Sequence, residues 1–183
     1  MYTITVDGGV LTITSSWGLF SAKRLDEGSA LLLEELATLP PPSRVLDLGC
    51  GSGAIGLALA KRWPDSTVEL VDKDFVAVET TQANIDGNAV PNATVRLSAG
   101  FRDVTAEPFD LIVSNLPAQA GNQALDELLL GAHDHLRPGG TLVVVTVQGL
   151  KRYVRRRLEA LFGDYHKARE GLRHVVAEAI RQS

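Results

Sequence analysis

The chain has 183 residues, 45% hydrophobic and 22% charged, with a formal net charge of −4. That length fits one domain with a real core, and the composition is ordinary for a soluble globular protein. Apolar runs fall well short of the ~20 residues a membrane span needs, the start Met-Tyr-Thr-Ile-Thr-Val lacks the basic and apolar blocks of a secretory signal, and a single cysteine excludes an internal disulfide framework. A reducing cytoplasm is the expected setting.

Residues 2–6 alternate polar and apolar, Asp7-Gly8-Gly9 signals a turn, and 10–14 alternate again, which predicts a β-hairpin. A loop with two aromatics follows, Trp17-Gly18-Leu19-Phe20-Ser21. Residues 27–38 read as a helix with Leu31, Leu32, Leu33 and Leu36 on its apolar side, Asp26 as N-cap and Pro40-Pro41-Pro42 beyond its end.

The next stretch, Arg44 to Gly56, organises the rest. Val45, Leu46 and Leu48 suit one buried strand. Gly49, Gly51 and Gly53 let the backbone turn sharply and approach a ligand closely. Ile55, Leu57, Leu59 and Ala60 then begin a helix ending near Trp63-Pro64. Strand, glycine loop and helix in that order make a nucleotide-binding corner. Gly51-x-Gly53-x-x-Gly56 alone also satisfies a dinucleotide fingerprint. However, Asp47 just before the first glycine suits a cationic ligand better than a pyrophosphate. A second acid, Asp72, ends the next strand (67–72), where it can accept both ribose hydroxyls.

Further along, a helix is expected over 75–88, a strand over 93–98, and a strand over 109–114 leading into Asn115-Leu116-Pro117-Ala118. Residues 122–136 read as helix, Arg137-Pro138-Gly139-Gly140 as a turn, 141–147 as strand and 150–162 as helix. Two strands, 165–170 and 173–181, meet at Glu170-Gly171-Leu172. Such alternation predicts an α/β fold: a Rossmann-like, doubly wound, seven-stranded and mostly parallel sheet with an antiparallel C-terminal strand, plus the N-terminal hairpin. One domain over 1–183 is expected, with the hairpin and first helix in 1–40 and the cofactor-binding core in 41–183. From Lys151 onward nine Lys/Arg face four Asp/Glu. Arg152, Arg155, Arg156 and Arg157 there are either phosphate contacts or a solvated helix face.

The glycine loop between Asp47 and Gly53, followed by Asp72, resembles the first two motifs of class I S-adenosylmethionine-dependent methyltransferases. Gly18-Leu19-Phe20-Ser21, Leu25-Asp26-x-Gly28-Ser29-x-Leu31-Leu32-Leu33 and Leu111-Ile112-Val113-Ser114-Asn115-x-Pro117 resemble the small-domain type, the catalytic half of the ribosomal RNA guanine-N2 methyltransferases. Those enzymes often carry a second, degenerate copy of the fold, and a single copy is expected here. The resemblance implies S-adenosyl-L-methionine as cofactor and an exocyclic amine of a base in structured ribosomal RNA as acceptor. It places cofactor contacts at Asp47, Gly49, Cys50, Gly51 and Gly53, at Asp72 and Lys73, at Ala99, Gly100 and Phe101, and at Asn115. Asn115, Leu116 and Pro117 form the catalytic motif, with the Asn115 side-chain oxygen and Leu116 carbonyl accepting the two amine hydrogens. Trp17, Phe20, Asp26 and Ala118 are the substrate-binding candidates.

One departure bears on the acceptor. The family's motif ordinarily reads Asn-Pro-Pro followed by Phe or Tyr, whose ring stacks on the flat target. Here it is Asn-Leu-Pro-Ala, so Ala118 removes a stacking ring worth ~1–3 kcal/mol. Trp17, Phe20 or Phe101 can replace it, or the acceptor is a small molecule or a protein. Two further alternatives are a cofactor-binding module without catalysis and a nicotinamide oxidoreductase, the latter without a Tyr-x-x-x-Lys pair. Cys50 reads as a small loop residue, and the four histidines are too scattered for a metal site.

Overall fold

Tyr2–Val6 (β1) and Gly9–Ile13 (β2) form the expected antiparallel hairpin, turning through Asp7 and Gly8 at φ 47° and 81°. The computed structural model describes residues 1–15 and 24–182, so the loop containing Trp17 and Phe20 lies outside the described residues. Ile4, Val6, Leu11 and Ile13 point to one side of the hairpin and are buried, each stabilising the fold by roughly 1.5–3 kcal/mol. The other contact is polar. Asn88 and Asn84, one turn apart on the helix Phe75–Asn88 (α3), each accept and donate one hydrogen bond with the backbone of Thr12 and Thr14 respectively, at 2.8–2.9 Å. The two amides thus stand in for a missing neighbouring strand.

The main sheet is built from Arg44–Leu48 (β3), Thr67–Asp72 (β4), Ala93–Leu97 (β5), Phe109–Asn115 (β6), Leu136–Val147 (β7), His166–Glu170 (β8) and His174–Ile180 (β9). Its order is β5-β4-β3-β6-β7-β9-β8, with β9 antiparallel to both neighbours and all other pairings parallel. This matches the expected doubly wound sheet. Side chains alternate between its faces. Val45, Leu70, Leu111, Val113, Val143, Val145 and Val176 pack with the hairpin, Glu27–Leu36 (α1), Ala54–Arg62 (α2) and α3. Leu46, Leu48, Ile112, Leu142, Val144 and Ala177 pack with Asn122–His135 (α4) and Lys151–Phe162 (α5).

The predicted boundaries hold within a few residues, with one informative difference. Arg137-Pro138-Gly139-Gly140 is not a turn ahead of β7. Leu136 already pairs with Phe109 and Thr141 with Leu111, so the segment is an irregularity inside one long strand. Gly139 (φ 76°) donates to the Arg181 carbonyl and Arg181 donates back to Gly140, which closes the ladder against β9. Glycine and proline signal both turns and bulges, and only the partner strands separate the two. Among the described residues no helix is long and apolar enough to cross a membrane.

Candidate active site

Ligands in doubly wound sheets bind beyond the carboxyl ends of the strands, and there the predicted residues gather. Asp47 pairs with Val113 across β3 and β6. The glycine loop begins directly after β3 ends at Leu48, and Asn115 is the last residue of β6; the two strands are parallel neighbours with axes ~4.8 Å apart. The Ser114 hydroxyl donates to the Leu48 carbonyl at 2.8 Å and holds the two strand ends together. The glycine loop and Asn115 therefore lie at the same end of adjacent strands.

The loop glycines do two different jobs. A β-carbon added to Gly49 (φ 76°) or Gly51 (φ 58°) would meet nothing within 4 Å, so both face open space. At Gly56 it would lie 2.3 Å from Leu70 Cδ2, and at Gly53 2.8 Å from Thr81 Cγ2, so those two permit close packing of α2. The amides of the loop are already engaged. Gly49 and Cys50 donate to the Val71 carbonyl, Gly51 to Asp72 Oδ2 and Gly53 to the Cys50 carbonyl. Asp47, 1% exposed, accepts from Gly56 N at 2.7 Å. The anion position at the N-terminus of α2 is thus filled by the protein's own carboxylate. A pyrophosphate would meet that acid, which argues against the dinucleotide reading.

Burial pushes the Asp47 carboxyl up to about 7, with the Gly56 amide opposing the shift and Asp72 adding to it. Asp72 is half-buried at the end of β4. Its Oδ2 accepts from Gly51 N at 2.9 Å and its Oδ1 from Asp74 N at 3.0 Å. A carboxylate offers about four acceptor sites, so each oxygen retains capacity for a hydroxyl. Lys73 and Ala99 are exposed beside it on the strand-end surface, and Gly100 (φ 64°) sits half-buried in a turn braced by the Ser98 hydroxyl. Cys50 is buried, and that burial, followed by Asp47 and Asp72, pushes its thiol well above the ordinary range, so it is no nucleophile.

Asn115 is half-buried. Its Nδ2 donates to Asp26 Oδ1 at 3.2 Å and to Ser29 Oγ at 3.0 Å. Asp26 caps α1 as expected, accepting from Ser29 N at 3.0 Å. The prediction of Asp26 as a substrate contact gains an unforeseen feature: its carboxylate is turned onto Asn115. Leu116 is buried and its amide donates to Val145 of β7, while Pro117 and Ala118 are exposed.

Phe101 does not bring a free ring to Asn115. It stacks on His135 with centroids 4.5 Å apart, against Gly131, where a β-carbon would fall 2.3 Å from the ring. Both partners lie in the last five residues of α4. His133 packs edge-on to Phe162, and among the described residues no group of three potential ligands could hold a metal. The basic helix is also largely engaged: Arg155 pairs with Glu159 and Arg157 with Asp126, and Arg156 lies over Tyr153.

Sequence reasoning missed Ser29, Thr81 and Asn84. Thr81 Oγ1 donates to the Gly51 carbonyl at 2.9 Å, and Asn84 Nδ2 donates to Ser52 as well as to Thr14. For Thr81 and Asn84 the available signal was polarity on the buried side of α3, where Thr80, Thr81 and Asn84 interrupt the apolar surface. Asn84 consequently ties hairpin, helix and glycine loop into one unit.

This sheet order, with a glycine loop and an acid on the neighbouring strand end, defines a methyltransferase-type α/β fold. The chain belongs to the methyltransferase small domain family, whose model matches residues 10–178. It is 39% identical over 154 residues to the ribosomal RNA small subunit methyltransferase C of Pseudomonas aeruginosa (strain LESB58), covering 82% of this chain and 46% of that protein. It is 34% identical over 156 residues to the uncharacterized protein YbxB of Bacillus subtilis (strain 168), covering 84% of this chain and 77% of that one. Among solved structures, the T. thermophilus 16S rRNA N2 G methyltransferase, in complex with AdoMet and guanosine, superposes with a TM-score of 0.88 at 29% identity, covering 99% of this chain and 50% of that one. The chain thus spans about half the length of the Pseudomonas and T. thermophilus relatives.

Proposed function

We propose that this chain, acting as one domain in the cytoplasm, binds S-adenosyl-L-methionine and methylates an exocyclic amine of a base in ribosomal RNA, the N2 of guanine. The observation that carries the reading is that the glycine loop and Asn115 lie at the carboxyl ends of two adjacent parallel strands, β3 and β6. A cofactor cradle and an amide able to orient an amine then share one strand-end surface. The T. thermophilus relative, bound to AdoMet and guanosine, supports the same pairing of ligands.

The residues fit the cofactor. Open space in front of Gly49 and Gly51 admits a ligand close to the backbone, Asp72 has acceptor capacity for ribose hydroxyls, and Asp47 makes the loop acidic beneath a cation. S-adenosylmethionine, when bound, supplies an electrophilic sulfonium methyl; the acceptor nitrogen takes the methyl, sulfur keeps the bonding pair and the displaced proton leaves to water. The protein's own part is positioning. Asn115 Oδ1 and the Leu116 carbonyl accept the two amine hydrogens, aim the nitrogen lone pair and stabilise the positive charge developing there. No general base with a tuned pKa is needed.

A second reading has specific support. Ala118 offers no stacking ring, Phe101 commits its ring to α4, and two of the four α5 arginines, Arg155 and Arg157, are paired within the chain. These features favour a small-molecule or protein acceptor. The experiment that separates the readings is methyl transfer from radiolabelled S-adenosylmethionine into fractionated lysate of a strain lacking this protein. Label in ribosomal RNA, traced to N2-methylguanosine by nucleoside analysis, supports the first. Label in the small-molecule or protein fraction replaces it with the second. Cofactor binding without label in any fraction leaves a binding module and overturns both.

A further inference from the structure

We propose that Asp26 and Ser29, at the N-terminus of α1, are positioning residues that set the orientation of the Asn115 amide. The inference rests on the methyl-transfer reading above and adds a part of the machinery drawn from a distant stretch of chain.

An asparagine amide is nearly symmetrical in shape, and its two ends do opposite things: the oxygen accepts and the nitrogen donates. An amine acceptor needs the oxygen facing it. With the amide rotated by half a turn, two N–H groups would confront two N–H groups, and the lone pair would lose its alignment with the methyl. Asn115 therefore requires something that distinguishes its two ends. β6 cannot do this, because the residue lies at the strand's last position and the backbone does not sense a side-chain flip.

The neighbours from α1 can. The Asp26 carboxylate accepts only, and its Oδ1 lies 3.2 Å from Asn115 Nδ2. The Ser29 hydroxyl oxygen lies 3.0 Å from the same nitrogen. Two acceptors meet the two N–H bonds of Nδ2, so the oxygen takes the other branch of the amide. The flipped rotamer would set amide oxygen against carboxylate oxygen, a repulsive contact. The same Asp26 Oδ1 also caps α1 through Ser29 N at 3.0 Å, so the helix end itself holds the carboxylate in place. Ser29 is buried, and Gly28 between them makes the approach possible. A β-carbon there would lie 3.1 Å from Asp26 Oδ1 and 3.0 Å from the His174 ring.

The competing explanation is that Asp26 is only a helix cap. Asp26→Ser separates the two roles, because serine caps as well as aspartate but its hydroxyl, one atom shorter, has less reach toward Asn115. Asp26→Asn keeps an acceptor oxygen for both bonds and removes the charge. The full-length protein is assayed with labelled S-adenosylmethionine and protein-free small-subunit ribosomal RNA. In Asp26→Ser/Ser29→Ala, kcat falls on the order of 10- to 100-fold, the scale of a misaligned reacting group. Cofactor Kd and Tm stay near wild type, and Asp26→Asn alone recovers most of the lost rate. A kcat within twofold of wild type in the double variant overturns the proposal, as does a loss that tracks cofactor affinity or that Asp26→Asn does not recover. An acceptor-free readout keeps this separate from the RNA assignment. With asparagine labelled by 15N, the Asn115 side-chain amide hydrogens exchange slowly in wild type and quickly in the double variant. Equal exchange in both overturns the proposal even if no RNA is ever methylated.

Discussion

The two halves of the candidate site are built differently. The cofactor half is compact in sequence: Asp47 and Asp72 lie on the adjacent parallel strands β3 and β4, and their carboxylates accept from the Gly56 and Gly51 amides over separations of 9 and 21 residues. The acceptor half is assembled across the chain, since Asn115 meets Asp26 and Ser29 over separations of 89 and 86 residues. A local half can evolve as one motif and be read as one. A composite half depends on how an N-terminal helix is docked, and its chemistry can be changed without touching the cofactor. The contrast predicts that substitutions in the two halves affect different constants.

The largest effect is expected at Asn115. Asn115→Ala removes the oxygen proposed to orient the amine while leaving the glycine loop intact. Turnover should fall on the order of 100- to 1,000-fold, the range for losing one preorganised hydrogen-bonding group, with S-adenosylmethionine affinity by calorimetry within about twofold. Retained turnover would break the division into two halves at its strongest point. Next comes Asp72→Ala, which deletes the acceptors proposed for the ribose and also frees the Gly51 and Asp74 amides. Affinity should drop on the order of 10- to 100-fold, about 1.5–3 kcal/mol for hydrogen bonds to a charged group. At saturating cofactor, kcat should change far less. An equal loss in kcat would mean that Asp72 also serves the acceptor side.

The same contrast explains what could be read in advance. Strand, glycine loop and helix follow one another in sequence, so Val45 to Ala60 was legible from periodicity and spacing alone. Asp72 was legible because an acid ending an apolar strand has few other uses. The Asn84 and Asn88 ladder to the hairpin was not, because nothing local shows that a helix amide will replace a strand. The partners of the Phe101 ring could not be read in advance for a related reason: the slot it fills is made by Gly131, thirty residues away. Arg137 to Gly140 carries turn residues in a bulge, decided by β6 and β9 rather than by its own composition. Asp26 was correctly read as a cap, but its second bond to Asn115 depends entirely on tertiary placement.

The smallest expected effect sharpens the cofactor half by asking why a carboxylate is kept beneath the loop at all. Asp47 is buried and its carboxyl is raised from 3.8 to about 7 in the folded protein. The native state therefore holds a proton that the unfolded chain releases near pH 4. Below pH ~4 both states are protonated and the group contributes nothing. Between about 4 and 7 the unfolded state ionises first, so stability falls as pH rises, and above about 7 the loss is complete. Asp47→Asn keeps an acceptor for the Gly56 amide but cannot titrate. Relative to wild type, its stability should rise with pH by on the order of 4 kcal/mol between pH 4 and pH 8. Urea unfolding at several pH values measures this, and the slope is the readout, because the new NH2 group brings a pH-independent desolvation cost of its own. At the same time, affinity for the cationic cofactor should weaken several-fold at pH 8. Stability gained together with affinity lost would identify Asp47 as a site where the fold accepts an unfavourable buried acid for binding. A flat pH difference would instead mean that the carboxylate remains ionised and is stabilised by the N-terminus of α2.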